Sequence, residues 1–356
     1  MNRMRQKLKW ILPAALLLLA GCAKDSGFFG GRRAEKEAAL PTWTPDGETA
    51  RMVKIAGEAT WLTVRGRYIR NQHGEPVLLR GVSIPDPQHA DKLRGDRTAS
   101  SMMRSAVKDL RANVIRIPVM PEGTESMGFA HDPQAYLKTH LDPVIDLAEK
   151  LGVYVIIDCH YIADYPELSA KVQEFWRHVA PRYKRSPNVI FEIFNEPIGP
   201  NDWTTFRAFA QPIVDRVRKM APDNLIIVGG PNWSLNMGGA AKEPIAGRNI
   251  VYALHVYPRH APATWQEDAD ALMQQHPVMV TEWGFESGAE PVLSGTRSGF
   301  GEPFVAWLEA RQLGWTAWIY DDRWTSRMLD EGGALTGGEG GMGEVVAEAL
   351  RRSWRL

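Results

Sequence analysis

At 356 residues the chain is long for an ordinary domain but within the range of a single α/β barrel. With 44% hydrophobic and 24% charged residues it is an ordinary globular protein with ample apolar material for a core. Its 42 basic and 42 acidic residues cancel, so it carries no electrostatic footprint for nucleic acid, and its 13 tryptophans exceed what a core alone calls for. The chain opens on a basic stretch with Arg3, Arg5, Lys7 and Lys9, followed by an apolar run over 11–20. That run is too short to cross a bilayer and reads as a secretory signal, residues 1–21.

Leu19-Ala20-Gly21-Cys22 resembles the bacterial lipobox. The resemblance implies that Cys22 becomes the lipidated N-terminus of a membrane-anchored envelope protein. Ala23 in place of Asp at the next position implies the outer membrane. Residues 22–58 show no sustained hydrophobic period and hold Gly27, Gly30, Gly31, Pro41, Pro45 and Gly47, as a tether does. The catalytic-size domain is expected over 59–356. Three short extended runs, 61–64, 67–70 and 77–80, predict a small β-hairpin ahead of the first long strand. Strand patterns then fall at 77–84, 114–117, 154–158, 189–194, 225–228, 250–254, 278–281 and 315–319. Helical patterns lie between most of them, at 99–111, 133–151, 168–183, 204–220, 263–275 and 300–313, with a closing helix at 344–354. The connection 229–249 has the weakest helical signal. Eight strands alternating with seven helices predict an α/β fold of the closed (β/α)8 TIM-barrel type.

In such a barrel the chemistry gathers where the strands end. The run 189–194 is β-branched and aromatic, stops at Asn195-Glu196-Pro197, and so sets a carboxylate at a rim. The run 277–281 repeats the design with Glu282, followed by Trp283 and Gly284. Other strand ends bring Arg116, then Asp158-Cys159-His160, then His255 and Tyr257, then Trp318. Two carboxylates on one rim suit an acid/base and a nucleophile. Glu192 shares the face of Ile190, Phe194 and Glu196 by strict alternation, and a buried carboxylate there needs a partner, for which Arg116 is the candidate. Cys159 is expected to be a buried free thiol.

These segments, Arg116-Ile117-Pro118, Asp158-Cys159-His160, Asn195-Glu196-Pro197, His255-Val256-Tyr257 and Thr281-Glu282-Trp283-Gly284, resemble glycoside hydrolase family 5, with Leu79-Arg80-Gly81-Val82-Ser83 as its first strand. Two departures stand out: Ser83 where Asn is usual and Cys159 where Trp is common. The resemblance covers about 61–354 and implies a retaining hydrolase of a β-1,4-linked polysaccharide. It implies Glu196 as acid/base, Glu282 as nucleophile, Arg116 and Tyr257 holding Glu282 ionised, and Asn195 on the sugar 2-hydroxyl. His160 and His255 would serve the substrate or the acid/base, and Trp318 would form the floor of the −1 subsite. A glucan is the leading substrate, with mannan, xyloglucan, xylan or an exopolysaccharide as alternatives. An inactive carbohydrate-binding lipoprotein is the rival outside enzymology, and it leaves both glutamates without a purpose.

Trp203, Trp233, Trp283 and Trp324 follow strand ends and are candidate outer subsites by stacking. Asp321 and Asp322 follow the eighth strand, as sugar ligands or as solvated charges. The glycine-rich segment 331–343 lacks the Gly-Lys-Ser/Thr ending of a phosphate loop and is expected as a mobile loop over the rim. His255 and His260 lie five apart on no helix, so no metal constellation is expected, nor any cofactor. The protein is expected to act as a monomer on a β-linked polysaccharide or oligosaccharide, tethered to a membrane by its lipid.

Overall fold

The computed structural model describes residues 47–53, 60–123 and 127–354. The signal segment, Cys22 and most of the proposed tether lie outside the described residues. Eight parallel strands close into a barrel: β1 (Arg80–Ser83), β2 (Val114–Val119), β3 (Tyr154–Cys159), β4 (Val189–Glu192), β5 (Ile226–Val228), β6 (Ile250–Val256), β7 (Val278–Trp283) and β8 (Gly314–Ala317), in that order around the ring. The longer helices outside it, of eight residues or more, are α1 (Ala99–Asp109), α2 (Asp142–Leu151), α3 (Ser169–Tyr183), α4 (Trp203–Met220), α5 (Gln266–Met273), α6 (Glu302–Ala310) and α7 (Gly343–Ser353). Between β5 and β6 the chain makes only the short turn Pro231–Ser234, with Asn232, Trp233 and Ser234 at positive φ. Among the described residues no helix is long and apolar enough to cross a membrane.

Alternation along the strands sorts the core into two layers. Leu79, Val114, Tyr154, Ile156, Ile190, Ile227, Val251, Ala253 and Met279 fill the barrel. Their neighbours Val82, Ile115, Val155, Phe191, Tyr252, Val280 and Trp315 belong to the cluster between the sheet and the helices. The antiparallel hairpin Thr63–Arg65/Tyr68–Arg70 contributes Leu62 and Ile69 to the inner cluster, so it closes the lower mouth. The charged side chains that face the barrel interior, Arg116, Asp158, Glu192 and Glu282, gather at the upper mouth, where the strands end.

Three expectations are corrected. The domain begins before residue 59: Arg51–Met52 pairs in parallel with Val77–Leu78, and Ala50 and Met52 are buried. A two-residue strand inside an aperiodic stretch leaves no hydrophobic signal. The segment 133–151 is helical but not uniformly α. Pro143 has no N–H to donate, and the preceding turn Leu137–Leu141 is a π-turn in which Asp142 N–H donates to Leu137 O. The glycine-rich segment is tied down. Its backbone is bonded at Gly340 O by Ser287 N–H and at Glu339 O by Arg297 N–H, which fastens it to the connection after β7.

Candidate active site

Arg116 is the hub of the upper mouth. It points inward from β2, fully buried, and its guanidinium donates in four directions. Nε bonds Glu192 at 2.6 Å, Nη1 bonds Glu282 at 2.7 Å, and Nη2 reaches Asn195 Oδ1 at 2.7 Å and Asp158 Oδ2 at 2.9 Å. The expected Arg116–Glu192 pair is therefore present, as one arm of a larger network. A planar fork with five N–H donors satisfies this geometry, and an ammonium group does not. Because Asn195 Oδ1 accepts from Arg116, the amide is oriented, and its Nδ2 is left buried with no partner among the described residues. His160 Nδ1 lies 2.6 Å from Asp158 Oδ2, which leaves Nε2 as the nitrogen open to a ligand.

Two departures from regular strand geometry put the glutamates where they are. β4 ends at Glu192, and the backbone bends through Ile193 and Phe194 before Glu196–Pro197 pairs in parallel with Ile162–Ala163. Phe194 consequently packs outside the barrel against Tyr161 and Phe209, not on the inner face that alternation assigns it. In β7 a β-bulge shifts the pairing with β6 from Leu254↔Val280 to His255↔Glu282. The extra residue is Thr281, and both it and Glu282 face the barrel interior. Thr316 Oγ1 of β8 donates to Thr281 O at 2.5 Å and so pins the bulge. The next residues close against β8: Trp318 N–H donates to Trp283 O, and a Cβ on Gly284 would meet Trp318 O at 2.4 Å. Only glycine allows that approach.

Glu282 accepts from Arg116 and, at 2.8 Å, from Tyr257 Oη. Burial acts to raise its pKa, but the charges of His255, Arg116 and His160 with the Tyr257 hydrogen bond outweigh it and hold the carboxyl below its ordinary value. Glu196 has the opposite balance. Burial raises its pKa, the nearby Glu282 charge adds to that, and the hydrogen bond with His255 offsets only part. His255 itself is pulled down by burial and pushed up by Glu282, Glu192 and Glu196, to about 10. Carboxyl oxygens of Glu196 and Glu282 lie within 4.8 Å of each other. His255 Nδ1 falls inside the same radius, yet the three do not make a cation site. Nδ1 is engaged by Glu196 at 3.0 Å, and Glu282 is already neutralised by Arg116.

Trp318 is half-buried at the rim with Nε1 donating to Thr325 O, and its ring runs near-parallel to His160 at 5.4 Å and to Trp324 at 6.0 Å. Trp324 is backed by Arg94, which forms a two-armed ion pair with buried Asp321. That pairing removes Asp321 from the candidates for sugar binding or free solvation. Asp322 is likewise paired, with Arg97. Trp233 is 43% exposed on the β5–β6 connection. The other two candidate platforms are core residues. Trp203 is buried against Phe206 and Tyr252 with Nε1 donating to Glu243 O. Trp283 points outward from β7 into Phe304 and Trp315, because its neighbour Glu282 takes the inward side. The two classes should separate in assay. Trp233→Ala is expected to raise KM on short oligosaccharides with kcat and melting nearly intact, whereas Trp283→Ala should cost about 3–5 kcal/mol of stability. A stable Trp283→Ala protein with a raised KM would return that residue to the cleft.

A closed barrel with two inward carboxylates of opposed pKa direction at its upper mouth defines a hydrolase of the acid/base type. Residues 70–323 match the sequence model of cellulase (glycosyl hydrolase family 5), and the chain belongs to that family. Cellulase CelDZ1 of Thermoanaerobacterium sp is 30% identical over 295 residues, covering 74% of this chain and 71% of that protein. Endoglucanase N of Pectobacterium atrosepticum is 31% identical over 289 residues, which is 78% of this chain but 61% of the relative's own length. The catalytic domain of Thermobifida fusca endoglucanase Cel5A superposes with a TM-score of 0.69 at 26% identity, covering 82% of this chain and 97% of that domain. A single-residue variant of the same domain, solved in complex with cellotetraose, is 27% identical with the same TM-score.

Proposed function

We propose that this chain is a retaining, endo-acting β-1,4-glucanase that cleaves by double displacement, with Glu282 as nucleophile and Glu196 as acid/base. One observation carries the reading: the two carboxyl groups stand within 4.8 Å at their nearest oxygens and are biased to opposite protonation states. Retaining glycosidases hold their carboxyl groups about 5–5.5 Å apart, while inverting ones leave about 6.5–9.5 Å for a water. Glu282, ionised and held by Arg116 and Tyr257, attacks the anomeric carbon as Glu196 protonates the departing glycosidic oxygen. The covalent glycosyl ester forms and the alcohol leaves. Glu196, now a carboxylate, takes a proton from water, whose oxygen attacks the same carbon and releases Glu282. Asn195 Nδ2 is offered to the 2-hydroxyl, His160 Nε2 to a neighbouring hydroxyl, and the Trp318 face to the −1 ring. The glucan assignment is supported by the cellulase and endoglucanase relatives and by the cellotetraose held by one structural neighbour. Reducing-end release from a panel of purified β-glucans, mannans, xyloglucan and xylan, with Glu282→Gln as control, tests it. Release from cellulose derivatives above the others supports the proposal, and faster release from mannan would move the substrate.

The pH profile of kcat/KM should be bell-shaped. Its acid limb, where Glu282 gains its proton, falls below the ordinary carboxylate value. Its alkaline limb, where Glu196 loses its proton, falls above that value. Glu196→Gln should abolish the alkaline limb on an aryl cellobioside with an activated leaving group, and a surviving limb would place the acid elsewhere. We also infer that Cys22 carries a lipid that tethers the enzyme to the envelope, at the outer membrane. The reading is supported by the basic and apolar segment that precedes Leu19-Ala20-Gly21 and by Ala23. Cys22→Ser should release the protein from the detergent phase, and its retention there would contradict the anchor.

A further inference from the structure

The acid/base reading leaves one buried group without a role. His255 Nε2 lies 3.8 Å from Glu192 Oε1, too far for a hydrogen bond. The Thr281 hydroxyl fills that gap, 2.7 Å from Glu192 Oε1 and 3.0 Å from Nε2. Thr281 takes the inward side by alternation from Met279, and the β-bulge keeps Glu282 inward beside it, so both side chains share the barrel interior. We propose that Thr281 is a positioning residue that fixes His255 as its Nε2–H tautomer, so that the imidazole meets Glu196 through Nδ1 alone. The proposal rests on Glu196 being the acid/base.

The argument is one of proton counting. A threonine hydroxyl has one proton, and a carboxylate can only accept. Glu192 is held ionised, lowered to about 2 by Arg116 and His255 against its burial, so the Thr281 proton points at Glu192. Towards Nε2 the hydroxyl can then only accept, and Nε2 must carry hydrogen. The 3.0 Å contact between Nδ1 and Glu196 Oε1 consequently holds one shared proton, either on the glutamic acid or on the imidazolium. When that proton is lost, an imidazole lone pair faces a carboxylate. The pair therefore keeps its proton to higher pH than it would if the ring could turn over to the Nδ1–H tautomer and donate to ionised Glu196. Thr281 blocks that tautomer.

The groups around the ring are Glu192 from β4, Glu196 beyond it, Arg116 from β2, Asp158 and His160 from β3, Glu282 from β7, and Tyr257 and His260 on its own connection. Glu282 Oε2 lies 3.6 Å from Nδ1, on the same side as Glu196, and so offers Nε2 no alternative acceptor.

Thr281→Val keeps the shape and removes the hydroxyl, while Thr281→Ser keeps the hydroxyl. In the full-length enzyme, Thr281→Val should move the alkaline limb of kcat/KM down by about one pH unit, the scale of one hydrogen bond to a charged group. Thr281→Ser should return the limb to its wild-type position. Imidazole 15N correlation spectra above the limb should show His255 as Nε2–H in wild type and Thr281→Ser, with Nδ1–H populated in Thr281→Val. An unmoved limb in Thr281→Val, with His255 still Nε2–H, would overturn the proposal even if melting falls. Should Glu196→Gln keep the alkaline limb, the acid/base assignment itself would fail, and this proposal with it.

Discussion

Glu282→Ala is expected to lower turnover of cello-oligosaccharides by ~10⁴-fold or more, because the covalent step loses its nucleophile. Azide should then restore bond cleavage and yield the α-glycosyl azide, since the anion attacks from the face the carboxylate has vacated. Glu196→Ala should behave in the opposite sense. With an activated aryl leaving group the glycosyl-enzyme still forms, and azide, needing no base, opens it to give the β-glycosyl azide. The two stereochemical outcomes follow directly from the placement of Glu282 with Arg116 and Tyr257, and of Glu196 with His255. Exchanged products would mean that the roles are exchanged.

The second large effect is expected at Arg116. Arg116→Met removes the cation from a site that is otherwise acidic, leaving Asp158, Glu192 and Glu282 buried together. Breaking a buried pair by deleting one partner costs about 3–5 kcal/mol, so a loss of that order in unfolding free energy is expected from denaturant titration. Arg116→Lys is the informative companion. It keeps one positive charge but cannot donate to all four acceptors at once, so kcat should fall by ~10²-fold with a smaller loss of stability. Its acid limb should also rise, because the guanidinium is among the groups that hold Glu282 below the ordinary carboxylate value, acting after His255 and against burial. An Arg116→Lys enzyme with wild-type kcat and an unmoved acid limb would show that Arg116 is scaffolding alone.

Much of this site was legible in the sequence because strand ends are readable. The apolar runs before Glu196 and Glu282, and those before His160, His255 and Trp318, mark buried strands whose last residues must reach the mouth of a barrel. The structure brings Arg116, His160, Asn195, Glu196, His255, Tyr257, Glu282 and Trp318 together there. What escaped is where alternation fails. The bulge at Thr281 and the bend after Glu192 change which side chains face inward, and neither has a signature in composition. For the same reason Phe194 and Trp283 were misplaced, since a one-residue change of register moves a side chain to the other face. Trp203 follows a strand end in the sequence, but it begins α4, and a first-turn indole can as easily turn under the helix as over the cleft. For Asp321 the sequence offers both a sugar ligand and a solvated charge, because its partner, Arg94, lies 227 residues earlier in the chain. Asp158 belongs to the Asp158-Cys159-His160 segment, and the sequence alone gives it no task. Its role as the group that orients His160 needs the 2.6 Å contact to be seen.

The central claim is a covalent intermediate on Glu282, and trapping tests it most directly. The wild-type enzyme would be incubated with a 2-deoxy-2-fluoro-β-cellobioside bearing a dinitrophenyl leaving group, then digested and mapped by mass spectrometry. The account predicts a stoichiometric cellobiosyl adduct on the peptide that contains Val280-Thr281-Glu282-Trp283, absent in Glu282→Gln. An adduct on Glu196, or turnover that releases the α-anomer with no adduct at all, would contradict it.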